Sequence, residues 1–259
     1  MQIPQREFES TTRYIDNLRD VTPQDKEPEL EWMFDLVRRV RPIDSNTRIL
    51  EIGPGIGWIP ILCQLKGIRC KGLEINPQLV EYAKEFGKKH GVEPDIELGN
   101  IEDTDLGESE YDLIIASSVF EHVEYWRQGL QKIYTALKPG GALFFSSTNK
   151  FCLKSGEHSF PLYGWFPNWF RYRLRVARQG PDVMKVGIDF HEFTYPMLRR
   201  AFRKLGFSVV LDRIDLLDPD NLKNPKPWKI FCLKLCRRFK PLKHLALCFV
   251  NTTRFVCVK

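Results

Sequence analysis

Short apolar runs alternate with amphipathic segments along the central part of the chain. Segments of the length expected for strands occur at 49–52, 70–74, 95–98, 111–116 and 142–146, and the apolar run 49–52 suits a strand buried on both faces. Segments with apolar residues at helical spacing predict helices at 28–40, 58–66, 77–90 and 126–137. Strand and helix therefore alternate with short connections. This order predicts an α/β fold with a doubly wound, mostly parallel sheet covered by helices on both faces.

The alternation breaks after residue 150. Residues 150–191 form a long connection in which aromatic and basic side chains interleave. A helix is predicted again over 194–205 and a strand over 207–215, and a second interruption, 216–252, precedes a last strand at 253–258. Both interruptions leave a strand at its carboxyl end, so we expect them to lie at the same edge of the sheet, where ligands bind in doubly wound folds.

Three glycines follow the first predicted strand directly. Gly53, Gly55 and Gly57 occupy every second position, and the helix predicted from Trp58 begins immediately after them. Glycine adopts positive φ angles and places no Cβ between the backbone and a ligand. The first amides of a helix lack intrahelical partners and would face a ligand held there. We interpret this loop as a ligand cradle.

An acidic residue ends the second predicted strand, seventeen positions after Gly57. Glu74, followed by Ile75, stands where doubly wound proteins bind two ribose hydroxyls, which indicates a nucleoside site. Nicotinamide-binding proteins usually space their glycines G-x-G-x-x-G. This loop instead reads G-x-G-x-G, with Glu51 two residues ahead of it.

The motif E-x-G-x-G-x-G followed by an acidic strand end resembles class I S-adenosylmethionine-dependent methyltransferases. The helix, Lys-Pro-Gly-Gly turn and apolar strand at 126–146 resemble the same family. The resemblance implies a Rossmann-like sheet of seven strands, the last of them antiparallel, and S-adenosyl-L-methionine as the methyl donor. The cofactor-binding residues that it implies are Glu51, Gly53, Gly55, Gly57, Glu74, Ile75, Asn100, Ile101 and Ser117.

The resemblance also assigns roles along the predicted sheet edge. In related methyltransferases the end of the third strand holds the adenine, and the matching residues are Asn100 and Ile101. An asparagine side chain can accept a hydrogen bond from an exocyclic amine. Ser117 follows the fourth strand, beside the gap where methyl donor and acceptor should meet.

The same resemblance implies a division of the chain. Residues 1–47 are expected to be a helical lead-in that closes over the cofactor, and residues 48–259 to be the methyltransferase domain. Within that domain, the insertions 150–191 and 216–252 are expected to form the acceptor pocket or a membrane-facing rim.

Transfer to a hydroxyl requires removal of its proton, and two histidines are candidates. An imidazole titrates near neutral pH, which suits a general base. His122 follows the fourth strand, and His158 lies in the first insertion beside Glu157. For each, an ordinary structural role is the alternative interpretation.

Residues 118–123 and 143–150 are similar, more narrowly, to the ubiquinone-biosynthesis O-methyltransferases, which methylate catechol-like hydroxyls on polyprenyl rings. Members of that branch can carry a metal triad of two glutamates and a histidine. Glu121 and His122 match the second glutamate and the histidine, but Ser118 stands at the first glutamate position. Because a hydroxyl is a poor replacement for that carboxylate, no metal is predicted.

The net charge of +6 is unevenly distributed. Asp220 is the last acidic residue, and ten lysines or arginines follow it. With the basic amphipathic segment at 228–239, this distribution predicts contact with an anionic membrane surface through residues 150–180 and 223–243. A solvated basic tail is the alternative interpretation.

Other features bound the location and the partners. No apolar run reaches the roughly 20 residues of a spanning helix, and the first ten residues do not resemble a secretory signal, so we expect a cytoplasmic protein that is peripheral on membranes.

Nucleic acid is not the expected acceptor, because no RNA-binding module is recognisable and the Asn/Asp-Pro-Pro-aromatic motif of base methylation is absent at 117–120. The sequence does not indicate an oligomeric state.

The first hypothesis is therefore an S-adenosylmethionine-dependent methyltransferase that acts on a hydroxyl of a small lipophilic molecule. The alternatives are a sugar, natural-product or amine acceptor, and a binding protein without enzymatic activity on the same fold.

Overall fold

In the computed structural model, seven strands form one sheet. The structure describes residues 15, 16, 18, 20–153, 161–179, 191–218 and 226–259. The strands are β1 (Arg48–Ile52), β2 (Arg69–Glu74), β3 (Asp95–Leu98), β4 (Tyr111–Ser117), β5 (Leu137–Thr148), β6 (Val209–Asp212) and β7 (Thr252–Val258). Their order is β3-β2-β1-β4-β5-β7-β6, and only the pairs that involve β7 are antiparallel in this sheet. The predicted doubly wound fold with an antiparallel last strand is confirmed.

Helices cover both faces of this sheet. They are α1 (Pro23–Arg38), α2 (Trp58–Leu65), α3 (Pro77–Lys89), α4 (Trp126–Ala136), α5 (Asn168–Gln179), α6 (Tyr195–Leu205), α7 (Arg213–Leu216), α8 (Pro227–Arg238) and α9 (Lys240–Cys248). One apolar core joins α1 and α2 to the sheet, and α3 packs beside it on β3. A second core, on the opposite face, joins α4, α6, α8 and α9. Alternate residues of the central strands enter the two cores, as the period of a strand requires.

Local capping chemistry explains where several elements start and end. Thr22 and Asp25 form a reciprocal capping box, so α1 begins at Pro23, five residues before the predicted start. The predicted strand 207–215 is wrong at its end. The Asp212 side chain accepts hydrogen bonds from the Ile214 and Asp215 amides, which ends β6 and begins α7.

Two further differences lie around the second insertion and the fifth strand. The sequence predicted one helix at 228–239, but a second helix, α9, follows it directly. Strand β5 begins at Leu137 and not at Ala142, because Leu137 already pairs with Tyr111 before a register shift. The Lys-Pro-Gly-Gly segment therefore lies inside β5, where it interrupts the regular pairing with β4, and does not precede the strand.

Buried polar side chains fasten the insertions to the domain. Asn149 lies at the end of β5, and its Nδ2 donates to the Leu247, Cys248 and Val250 carbonyl oxygens at 2.9 to 3.1 Å. These bonds satisfy carbonyl groups that α9 leaves unpaired at its end. The Arg171 guanidinium of α5 is 1% exposed and pairs with Glu192, just before α6. Asn149 thus fastens the second insertion at the carboxyl end of β5, and Arg171 fastens the first insertion to the residues just before α6.

Candidate active site

The predicted site residues gather where β1, β2 and β4 end. These three strands are parallel neighbours, so the loops that follow them meet at one edge of the sheet. The described residues among the predictions lie at the ends of these strands, in the loops that follow them, or in the loop after β3. His158 lies outside the described residues, and its proposed role stays a prediction.

The glycine loop is held in a backbone conformation that other residues rarely adopt. Gly53 and Gly57 have φ angles of 68° and 78°. A Cβ added to Gly53 would lie 2.6 Å from Val119 Cγ2, and one added to Gly57 would lie 2.8 Å from Ala83 and Ile96 side-chain atoms. The loop therefore needs glycine at both positions. Gly57 is also the residue before α2, and no side chain caps the first amides of that helix.

Glu74 is held rigidly beneath this loop. Its side chain is buried, its Oε2 accepts from the Gly55 amide at 2.9 Å, and its Oε1 accepts from the Asn76 amide at 3.0 Å. Burial raises the pKa of Glu74, and these backbone hydrogen bonds act in the opposite direction. Each carboxylate oxygen has a second lone pair. The carboxylate is thus oriented by the backbone and can still accept from two hydroxyls.

Glu51 is the second buried carboxylate of this edge. Among the described residues, its Oε2 has no hydrogen-bond partner. Burial, and then the charge of Glu74, raise the pKa of Glu51 well above its usual range. A buried polar atom without a partner is costly, so a ligand or water with a donor group would be bound favourably here. The unsatisfied oxygen and the bare glycine backbone fit a nucleoside cofactor with hydroxyl and ammonium donors.

The loop after β3 places the two predicted adenine contacts side by side. Asn100 is half-buried, and its Oδ1 accepts from the Glu102 amide at 3.0 Å. This bond fixes the side chain and leaves one lone pair of that oxygen for a ligand. Ile101 is buried against the core, and Ile75 after β2 is partly exposed. A nucleoside base at these positions would have one polar contact and an apolar neighbour available.

The end of β4 forms the other wall of the site. The Ser117 hydroxyl lies 2.8 Å from the Ser146 hydroxyl of β5. Ser118 has a positive φ of 53°, a conformation that is strained for a residue with a side chain. Its amide donates to the Ser146 carbonyl oxygen, and the backbone then turns into a single 3-10 turn that contains His122. His122 is half-buried on this turn.

Two further groups lie at this turn, Glu121 within it and His191 against it. Glu121 is fully buried and accepts from Ser147 Oγ at 2.9 Å. His191, at the end of the first insertion, returns to the same turn, where its Nε2 lies 2.8 Å from the Glu124 carbonyl oxygen. A carbonyl only accepts, so Nε2 carries the proton in this contact and Nδ1 is the acceptor of the neutral ring. The structure therefore places a second imidazole near His122.

Metal ligands do not cluster in the described part of the chain. No group of three or more His, Cys, Asp or Glu side chains there is arranged to hold an ion. A groove of about 780 Å³ opens at the opposite edge of the sheet, between Arg48, Arg69 and Asp95. These residues begin strands β1, β2 and β3, whereas ligands of doubly wound folds bind at the carboxyl ends. The groove is therefore separate from the candidate site.

Comparison with known proteins agrees with this geometry. The sequence model of a family described as "Methyltransferase domain" matches residues 25–211, more than two thirds of the chain. The chain belongs to this methyltransferase family. The membership confirms the resemblance to S-adenosylmethionine-dependent methyltransferases that the sequence motifs indicate.

Individual relatives of this methyltransferase are distant. A ubiquinone biosynthesis O-methyltransferase from Xylella fastidiosa is 30% identical over 119 residues, which are 45% of this chain and 48% of the relative. The chain thus matches about half the length of this relative. An S-adenosylmethionine-dependent methyltransferase from Archaeoglobus fulgidus superposes with a TM-score of 0.56 at 14% identity, over 96% of this chain and 99% of that one. This likeness shows the fold.

A further solved structure that shares the fold of this methyltransferase contains an acceptor. It is a Haemonchus contortus phosphoethanolamine N-methyltransferase in complex with phosphomonomethylethanolamine and S-adenosylhomocysteine. The TM-score is 0.55 at 16% identity, over 96% of this chain and 60% of that one. At this identity the similarity is one of fold.

Proposed function

We propose that the protein is an S-adenosylmethionine-dependent methyltransferase that acts on a hydroxyl of a small, lipophilic molecule. The observation that carries the proposal is the pairing of the Glu74 carboxylate with the glycine loop through the Gly55 amide. This contact joins the acidic end of β2 to the loop after β1, as a nucleoside site in this fold requires. A binding protein without a ligand of this kind would have no need for that geometry.

S-adenosylmethionine, when bound, supplies an electrophilic methyl group. The chain's own contribution is to orient the reactants and to exclude water. In this proposal Glu74 accepts from the ribose hydroxyls, Asn100 and Ile101 hold the adenine, and Glu51 accepts from a donor at the methionine end. Ser117 borders the point of transfer.

A hydroxyl acceptor also has to lose its proton. We assign this step to His122, because it is half-buried on the turn that ends β4, beside the wall formed by Ser117. His191, whose amide donates to the Glu121 carbonyl oxygen of this turn, is the second candidate, since its Nδ1 is the accepting nitrogen while Nε2 contacts the Glu124 carbonyl oxygen. An amine acceptor would depend less on either histidine as a proton acceptor. Sugar, natural-product and amine acceptors stay alternatives.

Stabilisation by cofactor tests the proposal. Thermal unfolding of the wild type should shift upward with increasing S-adenosylhomocysteine, because a ligand that binds only the folded state stabilises it. Glu74→Gln, which keeps the size of the side chain, should weaken binding by roughly ten-fold or more, since hydrogen bonds to a charged group contribute about 1.5–3 kcal/mol each. Glu85→Ala removes an exposed carboxylate of α3 and is the matched control.

The outcome separates the enzyme from its alternatives. A saturable shift that is reduced in Glu74→Gln and retained in Glu85→Ala supports the cofactor site. Methylation assays with polyprenyl phenols, then sugars and amines, would next identify the acceptor. Absence of any shift in the wild type would reject the proposal in favour of a binding protein without this cofactor.

We further propose that the second insertion contacts an anionic membrane surface. Among the helices of the described residues, none is long and apolar enough to cross a bilayer. Helix α8 instead exposes Trp228 and Phe231, which are 59% and 67% accessible, while Leu233 on its other face is buried. Lysines and arginines flank this exposed stripe, and no acidic residue follows Asp220 in the chain. Exposed aromatics among cations suit an interfacial helix on anionic lipid.

A further inference from the structure

Among the residues that the structure describes, no carboxylate pairs with two arginines near the site. Arg213 begins α7, and Arg254 lies on β7. Within the described residues, neither guanidinium forms an ion pair, although both are half-buried. Arg213 Nη1 reaches only the Thr252 carbonyl oxygen, at 3.5 Å, and Arg254 Nε is buried without a hydrogen-bond partner. Arg213 thus reaches the strand that carries Arg254, and in the described part of the chain neither cation has a counter-ion.

The electrostatics agree with this description. Burial lowers the pKa of Arg213. Burial, and then the neighbouring charge of Arg213, lower the pKa of Arg254 to about 10. Both groups are therefore still positively charged at neutral pH, where each raises the energy of the other. An anion between them would relieve this repulsion.

Neighbouring cations are satisfied within the protein. Lys243 of α9 lies 2.8 Å from Asp212 and 2.5 Å from Asp215. Arg237 of α8 donates to the Ile214, Asp215 and Leu217 carbonyl oxygens. The carboxylates of this region are thus engaged by Lys243, and the charge left over is that of Arg213 and Arg254.

The register of the sheet connects Arg254 to the candidate active site. Arg254 pairs with Ser146 of β5, and Ser146 pairs with Ser117 of β4. All three occupy the face of the sheet that packs against α1, because they alternate in step with Phe144 and Val256 of that core. Neighbouring strands are about 4.8 Å apart, so the Cα atoms of Ser117 and Arg254 are separated by about 10 Å. A polar row therefore leads from the proposed point of methyl transfer to the arginines.

Trp32 of α1 fixes one face of Arg254. The guanidinium carbon lies 4.2 Å from the centre of the indole ring, which itself packs edge-on against Phe144. Stacking of this kind leaves the N–H groups at the edge of the guanidinium available. A planar group held in this way can donate two parallel hydrogen bonds to one oxyanion.

We propose that Arg213 and Arg254 bind an oxyanion, a carboxylate or a phosphate, on the methyl acceptor. The proposal rests on the proposed methyltransferase function and narrows its substrate class. The acceptor then carries a hydroxyl at the end near Ser117 and an anionic group toward β7, where the Cα of Arg254 lies about 10 Å from that of Ser117. An anion in this position also fixes the orientation of the hydroxyl relative to the methyl donor.

Calorimetric titration of the full chain with simple anions tests this assignment. Inorganic phosphate and benzoate serve as probes for the two oxyanion chemistries, each added to protein saturated with S-adenosylhomocysteine in a low-salt buffer. We expect at least one probe to bind the wild type, and Arg213→Gln and Arg254→Gln each to weaken it at least ten-fold. Arg254→Lys keeps the charge but loses the planar fork, so an intermediate affinity is expected. Arg203→Gln, at an exposed position of α6, is the control and should bind as the wild type does.

The outcomes distinguish the possible roles of the pair. The affinity for S-adenosylhomocysteine should change less than two-fold in the arginine variants. If instead cofactor binding is lost while the probes bind as before, the arginines hold the cofactor carboxylate and the inference is wrong. It is also wrong if neither probe binds the wild type while S-adenosylhomocysteine does, and that result leaves the proposed cofactor site intact. If Arg254→Gln does not fold, Arg213→Gln carries the test.

Discussion

The cofactor half of the molecule (residues 48–122) and the two insertions (150–191 and 216–252) are held together in different ways. In the cofactor half, the important contacts join residues close to a strand end, such as Glu74 with the Gly55 and Asn76 amides. In the insertions they join distant elements, as Arg171 of α5 does with Glu192. The first kind of contact is specified by local spacing. The second depends on how the whole chain folds.

The two regions also differ in what they expose. The glycine loop is packed so closely against Val119, Ala83 and Ile96 that a single Cβ would not fit. The insertions are joined to each other by a stacked pair, Trp165 with Phe249, and leave other aromatic rings in solvent. The cofactor half is thus closely packed around its glycine loop, whereas the second insertion packs one side of α8 and α9 into the core and leaves other apolar side chains exposed.

Removal of one buried charge should have the largest effect on the insertions. Arg171→Met removes the buried guanidinium that pairs with the Glu192 carboxylate, and breaking a buried pair in this way costs roughly 3–5 kcal/mol of unfolding free energy. Arg173→Met changes an exposed residue of the same helix and should cost less than about 0.5 kcal/mol. Urea unfolding of both variants measures the difference. Equal stabilities would mean that the pair does not fasten the first insertion.

A single methyl group should test the packing of the cofactor half. Gly57→Ala places a Cβ 2.8 Å from Ala83 and Ile96 atoms at a positive φ, which together should cost roughly 2–4 kcal/mol. Gly67 has a similar φ of 70°, but a Cβ there meets no atom within 4 Å. Gly67→Ala should therefore cost only the conformational part, about 1–2 kcal/mol. If the two variants lose the same stability in urea, the loop is not closely packed.

The same contrast explains how much of the fold the sequence could predict. Strands β1 to β4 were placed to within about two residues, because an apolar run between a turn and a helix has few alternative structures. The end of β6 was missed, since Asp212 and Asp215 form a capping box within a stretch that otherwise has the pattern of a strand. Helix α9 was also missed, although Pro241 in its first turn is a typical helix start.

The candidate site shows a similar limit. Glu51, Glu74 and the glycines could be found because their chemistry is set by spacing along the sequence. The pairing of Arg171 with Glu192 joins residues 21 positions apart across an insertion, and no local pattern specifies it. The row of Ser117, Ser146 and Arg254 exists only through the register of three strands. Such contacts become visible when the sheet order is known.

The charge on buried Glu51 should lower the unfolding free energy of the ligand-free protein, and ligand binding should remove this loss. Burial raises its pKa in the folded state, so folding favours the protonated form. The stability that this group contributes is then present below the unfolded pKa near 4.5 and is lost as the pH rises through the folded pKa. Glu51→Gln should therefore be more stable than the wild type without ligand at pH 8, by roughly 1–3 kcal/mol, because burial penalises the carboxylate charge that the amide lacks.

Thermal unfolding between pH 5 and pH 8 checks this sign. The advantage of Glu51→Gln should grow with pH in the absence of ligand and should shrink when S-adenosylhomocysteine is added, because the ligand supplies a donor. Glu85→Gln, at an exposed position, should follow the wild type at every pH. An advantage that does not change with pH would contradict a raised pKa at Glu51.

The smallest effect on stability is expected for substitution of an exposed aromatic side chain of the second insertion. Phe231 is 67% exposed on α8, so Phe231→Ser should change the unfolding free energy by less than about 0.5 kcal/mol. Leu233→Ala, two residues away in the core, should cost roughly 2–5 kcal/mol. Phe231→Ser should nevertheless reduce sedimentation with anionic vesicles several-fold, because an exposed ring contributes to interfacial binding through the area it buries there. Binding that is equal for Phe231→Ser and the wild type, or that does not weaken with added salt, would mean that this face is not a membrane contact.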